Sequence, residues 1–100
     1  MAESRTLFDV AEEVQMDVAR VLKVLGDPNR LRIIELLRDG EQCQCDIIPH
    51  VGQSQPTVSR HLNMLEENGI LVSRKDGVRV LYRIANPNVL KIVELAASIA

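Results

Sequence analysis

No apolar run in this 100-residue chain approaches the ~18 residues that a membrane span needs. The opening Met1-Ala2-Glu3-Ser4-Arg5 lacks the basic start and apolar stretch of a secretory signal. The expectation is a cytoplasmic protein with no membrane partner. Only two cysteines are present, Cys43 and Cys45, one residue apart. They cannot form the long-range staple of a secreted mini-protein; such a pair in a cytosolic chain is metal-binding, redox-active or structural. There is no repeat, low-complexity stretch or linker, and no nucleophile–base pair, phosphate loop or carboxylate pair with active-site character. An enzyme is therefore not expected.

What is present is an ordinary globule. Hydrophobic residues make up 46% and charged residues 26%, near the average for a soluble domain. Residues 1–100 suffice for one compact core and not for two. Net charge is −2, which argues against a nonspecific polycation. Its distribution says more. Residues 53–83 carry five bases (Arg60, Arg74, Lys75, Arg79, Arg83) against three acids, whereas residues 1–27 carry three bases against six acids. An acidic protein with one basic segment can still bind nucleic acid locally.

Periodicity places five helices and a hairpin. Val10, Val14, Val18, Val21, Leu22 and Leu25 recur at helical spacing before Gly26. Asp27-Pro28 is a cap followed by a helix-starting proline, opening a helix rich in Leu and Ile that Gly40 ends. A short helix from Asp46 to Val51 follows, with Pro49 expected near its first turn and Gly52 as its break. Ser54 caps a fourth helix, on which Val58, Leu62 and Leu65 face inward while Pro56, Ser59, Arg60 and Asn63 point away. The period then changes to two: Ile70–Lys75 and Val78–Ile84 read as strands around an Asp76-Gly77 turn. Residues 88–99 form a last helix that is apolar nearly all round. A terminal helix on so small a domain cannot hide that, and it asks for a partner.

A short helix and tight turn before an outward-polar helix is the helix-turn-helix pattern, whose second helix enters the major groove. Gln55 and Asn63 suit adenine, Arg60 guanine, and Thr57 and Ser59 phosphate or base edges. Arg74, Lys75 and Arg79 of the hairpin suit the DNA backbone or the adjacent minor groove. The fold expected is mostly α with a β-hairpin wing.

The segments Val21-Leu22-Lys23-Val24-Leu25-Gly26-Asp27-Pro28-Asn29-Arg30-Leu31-Arg32-Ile33 and Gln53-Ser54-Gln55-Pro56-Thr57-Val58-Ser59-Arg60-His61-Leu62 resemble the arsenic-responsive repressor (ArsR/SmtB) family. That resemblance implies a homodimeric winged helix-turn-helix repressor acting on double-stranded operator DNA. It also implies a recognition helix at about 54–68, a wing at about 70–84 and dimerisation helices at about 10–25 and 88–99. By position, the family's contacts fall on Gln55, Ser59 and Arg60; Pro56 occupies another contact position without a donor.

The resemblance also implies a sensor. Arsenic and cadmium/lead members carry Cys-X-Cys followed by Asp, and here the stretch is Glu41-Gln42-Cys43-Gln44-Cys45-Asp46. Thiolates select soft ions. Inside a helix, residues i and i+2 point ~200° apart, so both sulfurs can hold one ion only on extended backbone or at a helix start. No cofactor is required; As(III), Cd(II), Pb(II) or Zn(II) is a candidate effector. The third cysteine of some arsenic repressors is replaced by Ile48, so a third ligand must come from His50, water, a small thiol or the other subunit. A zinc site on the last helix looks absent, with Asn86, Asn88 and Ile99 at its positions. His50 and His61 read as surface or locally bonded groups, and Arg30 and Arg32 as residues flanking a buried helix. The alternatives are a thiol-redox switch, a regulator without effector, or a protein-interaction module docking through its polar helix.

Overall fold

A computed structural model describes residues 12–100. Val10, expected on the first helix, lies outside them. The elements run α1 (Glu12–Leu25), α2 (Pro28–Leu36), β1 (Gln42–Cys43), α3 (Gln44–Val51), α4 (Gln55–Glu67), β2 (Leu71–Asp76), β3 (Arg79–Ile84) and α5 (Asn88–Ile99). These are the five helices and wing of a winged helix-turn-helix, with one addition. The hairpin is part of a three-stranded antiparallel sheet, ordered β1-β3-β2.

Local chemistry explains most boundaries. Asp27 sits in extended backbone, and its Oδ1 accepts from the N–H of Asn29 at 2.8 Å and of Arg30 at 3.2 Å. Burial pushes the Asp27 carboxyl up, but the Arg30 and Asn29 N–H bonds and the charges of His61 and Arg30 outweigh it, leaving its pKa below the usual value. Asp27→Ala should therefore cost about 1 kcal/mol of stability. A depressed folded pKa means the carboxylate's contribution is full above the unfolded pKa and lost as pH falls through the folded one. Urea titrations of wild type and Asp27→Asn, which keeps an acceptor but does not titrate, should diverge across that acidic window. Parallel pH profiles would contradict the cap's ionic character.

Two expectations are corrected. α3 begins two residues before Asp46, because Cys43 is its cap and accepts from the Cys45 N–H through Sγ at 3.1 Å. Pro49 is thus the sixth residue of α3, not part of its first turn; lacking an N–H, it cannot bond back to the Cys45 carbonyl. The hairpin loop is Gly77-Val78 rather than Asp76-Gly77, since Asp76 still pairs with Arg79. Gly77 has φ 64°, at the first loop position, where a type II′ turn places its glycine.

The core gathers Ile33, Ile34 and Leu37 after α1, Ile47 and Val51 of α3, Val58, Leu62 and Leu65 of α4, and Leu71 and Tyr82 of the sheet. Val58, Leu62 and Leu65 are wholly buried, as their i, i+4, i+7 spacing requires. The opposite face of α4 is thereby fixed outward. Among the described residues α5 buries only Val89, while Leu95 and Ile99 are exposed. Asn86 Oδ1 accepts from the Asn88 N–H at 2.9 Å, so this pair serves the start of α5.

Candidate nucleic-acid interface and cysteine site

α4 is presented by a tight set of local bonds. Ser54 caps it, accepting from the Thr57 N–H at 3.3 Å while its hydroxyl donates to Thr57 Oγ1 at 2.9 Å. At the other end, Asn68 Nδ2 donates to the Met64 carbonyl at 2.8 Å, and Asn68 Oδ1 accepts from Arg20 of α1 at 2.7 Å. Arg30 Nε donates to His61 Nδ1 at 3.2 Å, locking α2 to the inner flank of α4. His61 is thus a packing contact. Gln55, Arg60 and Asn63 are exposed, whereas Thr57 and Ser59 are half-buried and already bonded, Ser59 accepting from Gln44 at 2.9 Å. Gln55, Ser59 and Asn63 share one stripe at spacings of four.

The wing carries Arg74, Lys75 and Arg79, all exposed. They are not equivalent. Arg74 grips Glu41 with two bonds of 2.8 Å and holds that carboxyl below its usual pKa. Lys75 pairs in register with Val80, and Arg79 flanks the loop. Ser73 of β2 bonds Glu66 of α4, tying wing to helix.

Cys43 and Cys45 sit where these parts meet. Cys43 is extended (φ −68°, ψ 142°) and buried, and its strand pairs with β3, Cys43 opposite Leu81. Cys45, two residues on, lies in the first turn of α3 and is exposed. This extended-to-helix junction brings the sulfurs together: the pair forms a disulfide with Cα atoms 5.1 Å apart. The sulfurs and the Asp46 carboxylate oxygen all lie within 4.8 Å of one another. As a dithiol, the cluster could offer two soft donors and one hard one to an ion. His50 is not among them; its Nδ1 is bonded to the Asp46 carbonyl at 2.8 Å. A groove of about 350 Å³ opens beside the pair, lined also by Gln44 and Ile48 of α3, by Gln55 of α4 and by Val78, Arg79 and Val80 of the wing.

The sequence model of the bacterial regulatory protein arsR family matches residues 27–73. A cadmium resistance transcriptional regulatory protein CadC homolog from Staphylococcus aureus is 38% identical over 94 residues, 93% of this chain and 78% of that protein. The chain belongs to the arsR family. An arsenical resistance operon repressor from Staphylococcus xylosus is 43% identical over 68 residues, 68% of this chain. The match spans just under two thirds of that repressor, 65% of its length. In three dimensions, a homodimeric winged helix-turn-helix DNA-binding domain from Mycobacterium bovis is 31% identical and superposes with a TM-score of 0.78, covering 99% of this chain and 89% of that one.

Family and fold are those of DNA-binding transcriptional regulators, not of enzymes. Among the described residues no helix is long and apolar enough to cross a membrane. Within this arsR-family chain the fold brings the Asp46 carboxylate to the two sulfurs; Asp46 follows the cysteine pair directly but was not among the expected third ligands. Sequence reasoning missed Glu41, whose grip on Arg74 depends on residues 33 positions apart. No local pattern carries that.

Proposed function

We propose that the chain is a homodimeric transcriptional repressor that binds operator DNA through α4 and the wing and is released when a thiophilic metal or metalloid binds Cys43 and Cys45. The observation that carries this reading is the shared groove. The cysteine pair opens on the same cleft as Gln55, at the start of α4, and Arg79, on the wing. An ion held there acts on two DNA-facing elements together. Gln55, Thr57, Ser59, Arg60 and Asn63 supply base and phosphate contacts from α4, and Arg74, Lys75 and Arg79 contact the backbone from the wing. Cd(II), Pb(II), Zn(II) and As(III) are the candidate effectors, with Asp46 as the additional donor. Zinc and cadmium tolerate a carboxylate beside thiolates better than trivalent arsenic does.

The joined sulfurs favour one second reading, a dithiol–disulfide switch at the same place. Both readings share the DNA surface, which is tested first. Arg60→Ala should weaken binding to the chain's own promoter by ~1–3 kcal/mol and relax preference at one base pair. Arg79→Ala should weaken all sequences alike and lower the slope of log K against log salt by about one contact. Fluorescence anisotropy on specific and scrambled duplexes separates the two. Unchanged specific affinity in Arg60→Ala would remove α4 from the interface.

A further inference from the structure

The residue between the two cysteines faces the recognition helix. Cys43 is extended, and Gln44 is the first residue of α3. Gln44 lies between the two joined cysteines and lines the same groove, and its Nε2 donates to Ser59 Oγ at 2.9 Å. Both residues are half-buried, so the bond is partly sheltered from water. It spans fifteen positions in sequence and joins the first residue of α3 to the middle of α4.

We propose that Gln44 is the positioning residue that couples the cysteine site to DNA. Clamping the sulfurs fixes the backbone at 43–45 and thereby aims the Gln44 amide at Ser59. The Ser59 hydroxyl oxygen, otherwise open to a phosphate or base edge, then accepts from protein instead. Freeing the thiols lets the 43–45 segment relax and returns Ser59 to the DNA face. The link is one residue long and lies outside the donor set, because Gln44 ligates nothing. It rests on the reading of Cys43 and Cys45 as the effector site, and it holds whether the clamp is an ion or a disulfide.

The test measures promoter-DNA affinity of reduced protein with and without cadmium, and with and without hydrogen peroxide. The peroxide takes two electrons and two protons from the dithiol and leaves as two waters, forming the disulfide. Thiolate-to-cadmium charge-transfer absorption reports ion binding separately. Gln44→Ala should bind cadmium within about twofold of wild type and bind DNA normally when reduced and ion-free. Its ratio of free to clamped DNA affinity should fall about 2- to 10-fold, the worth of one hydrogen bond. Ser59→Ala should lower the same ratio, whatever it does to DNA affinity itself, and the double variant should lower it no further than either single one. A Gln44→Ala protein with the full wild-type ratio overturns the coupling role alone. A wild type indifferent to both cadmium and peroxide overturns the coupling and the effector site together.

Discussion

Leu22→Glu should convert the proposed dimer of twice 11.2 kDa into a folded monomer and weaken promoter binding about 10²–10⁴-fold. Leu22 is 53% exposed on the single chain, so a charge there meets water in the protomer and should leave its core intact. Yet Leu22 lines two adjoining apolar hollows. One, of about 390 Å³, lies against Ile92, Val93, Ala96 and Ala97 of α5; the other, of about 250 Å³, is shared with Val14, Val18 and Val21 of α1. A second copy seated there would bury these surfaces around a twofold axis, and an unpaired carboxylate in such an interface is costly. The loss on DNA follows because linking two half-site readers makes the second contact intramolecular. Sedimentation and circular dichroism on the same sample provide the check. A monomer with native ellipticity and intact DNA affinity would sink the paired half-site argument, and a persistent dimer would move the interface elsewhere.

The same residues show what sequence can and cannot disclose. The Asp27-Pro28 and Ser54 caps, the buried triad Val58, Leu62 and Leu65, and the hairpin were legible because each is written within a few neighbouring positions. The uncovered α5 was legible for the same reason: its apolar circumference exceeds what one small domain can hide. β1 was not. Two residues, Gln42 and Cys43, become a strand only because Tyr82 and Leu81 stand opposite, some forty positions away. That pairing sets the extended backbone at Cys43, and the cap at Cys43 then starts α3 two residues early. The cysteine motif marked a candidate thiol site from sequence. Its seat beside Gln55 and Arg79, and the turning of Gln44 toward Ser59, come from tertiary pairing. Arg74 reads as a free cation in sequence and is a clamped one in the fold.

The double change Cys43→Ser, Cys45→Ser should leave DNA binding intact and abolish release. These are the only two thiols in the chain, so every thiophilic response passes through them. Serine also keeps the local architecture, since its hydroxyl can accept the Cys45-position N–H that Cys43 Sγ now caps. Wild type should lose about 5- to 150-fold in DNA affinity on ligation, the span of a 1–3 kcal/mol coupling, while the double variant should lose none. Because the ligands bind as thiolates, cadmium should release wild type more readily as pH rises. Asp46→Asn divides the two effector chemistries. Removing a charged oxygen donor should weaken cadmium but leave peroxide-driven closure of the disulfide unchanged. Trivalent arsenic, which seeks three sulfurs where this chain offers two, should bind more weakly than it does to repressors with a third cysteine. Release of the double variant by cadmium or arsenite would make the pair structural and place the effector elsewhere. Release of wild type by peroxide alone, reversed by reductant, would decide for the disulfide.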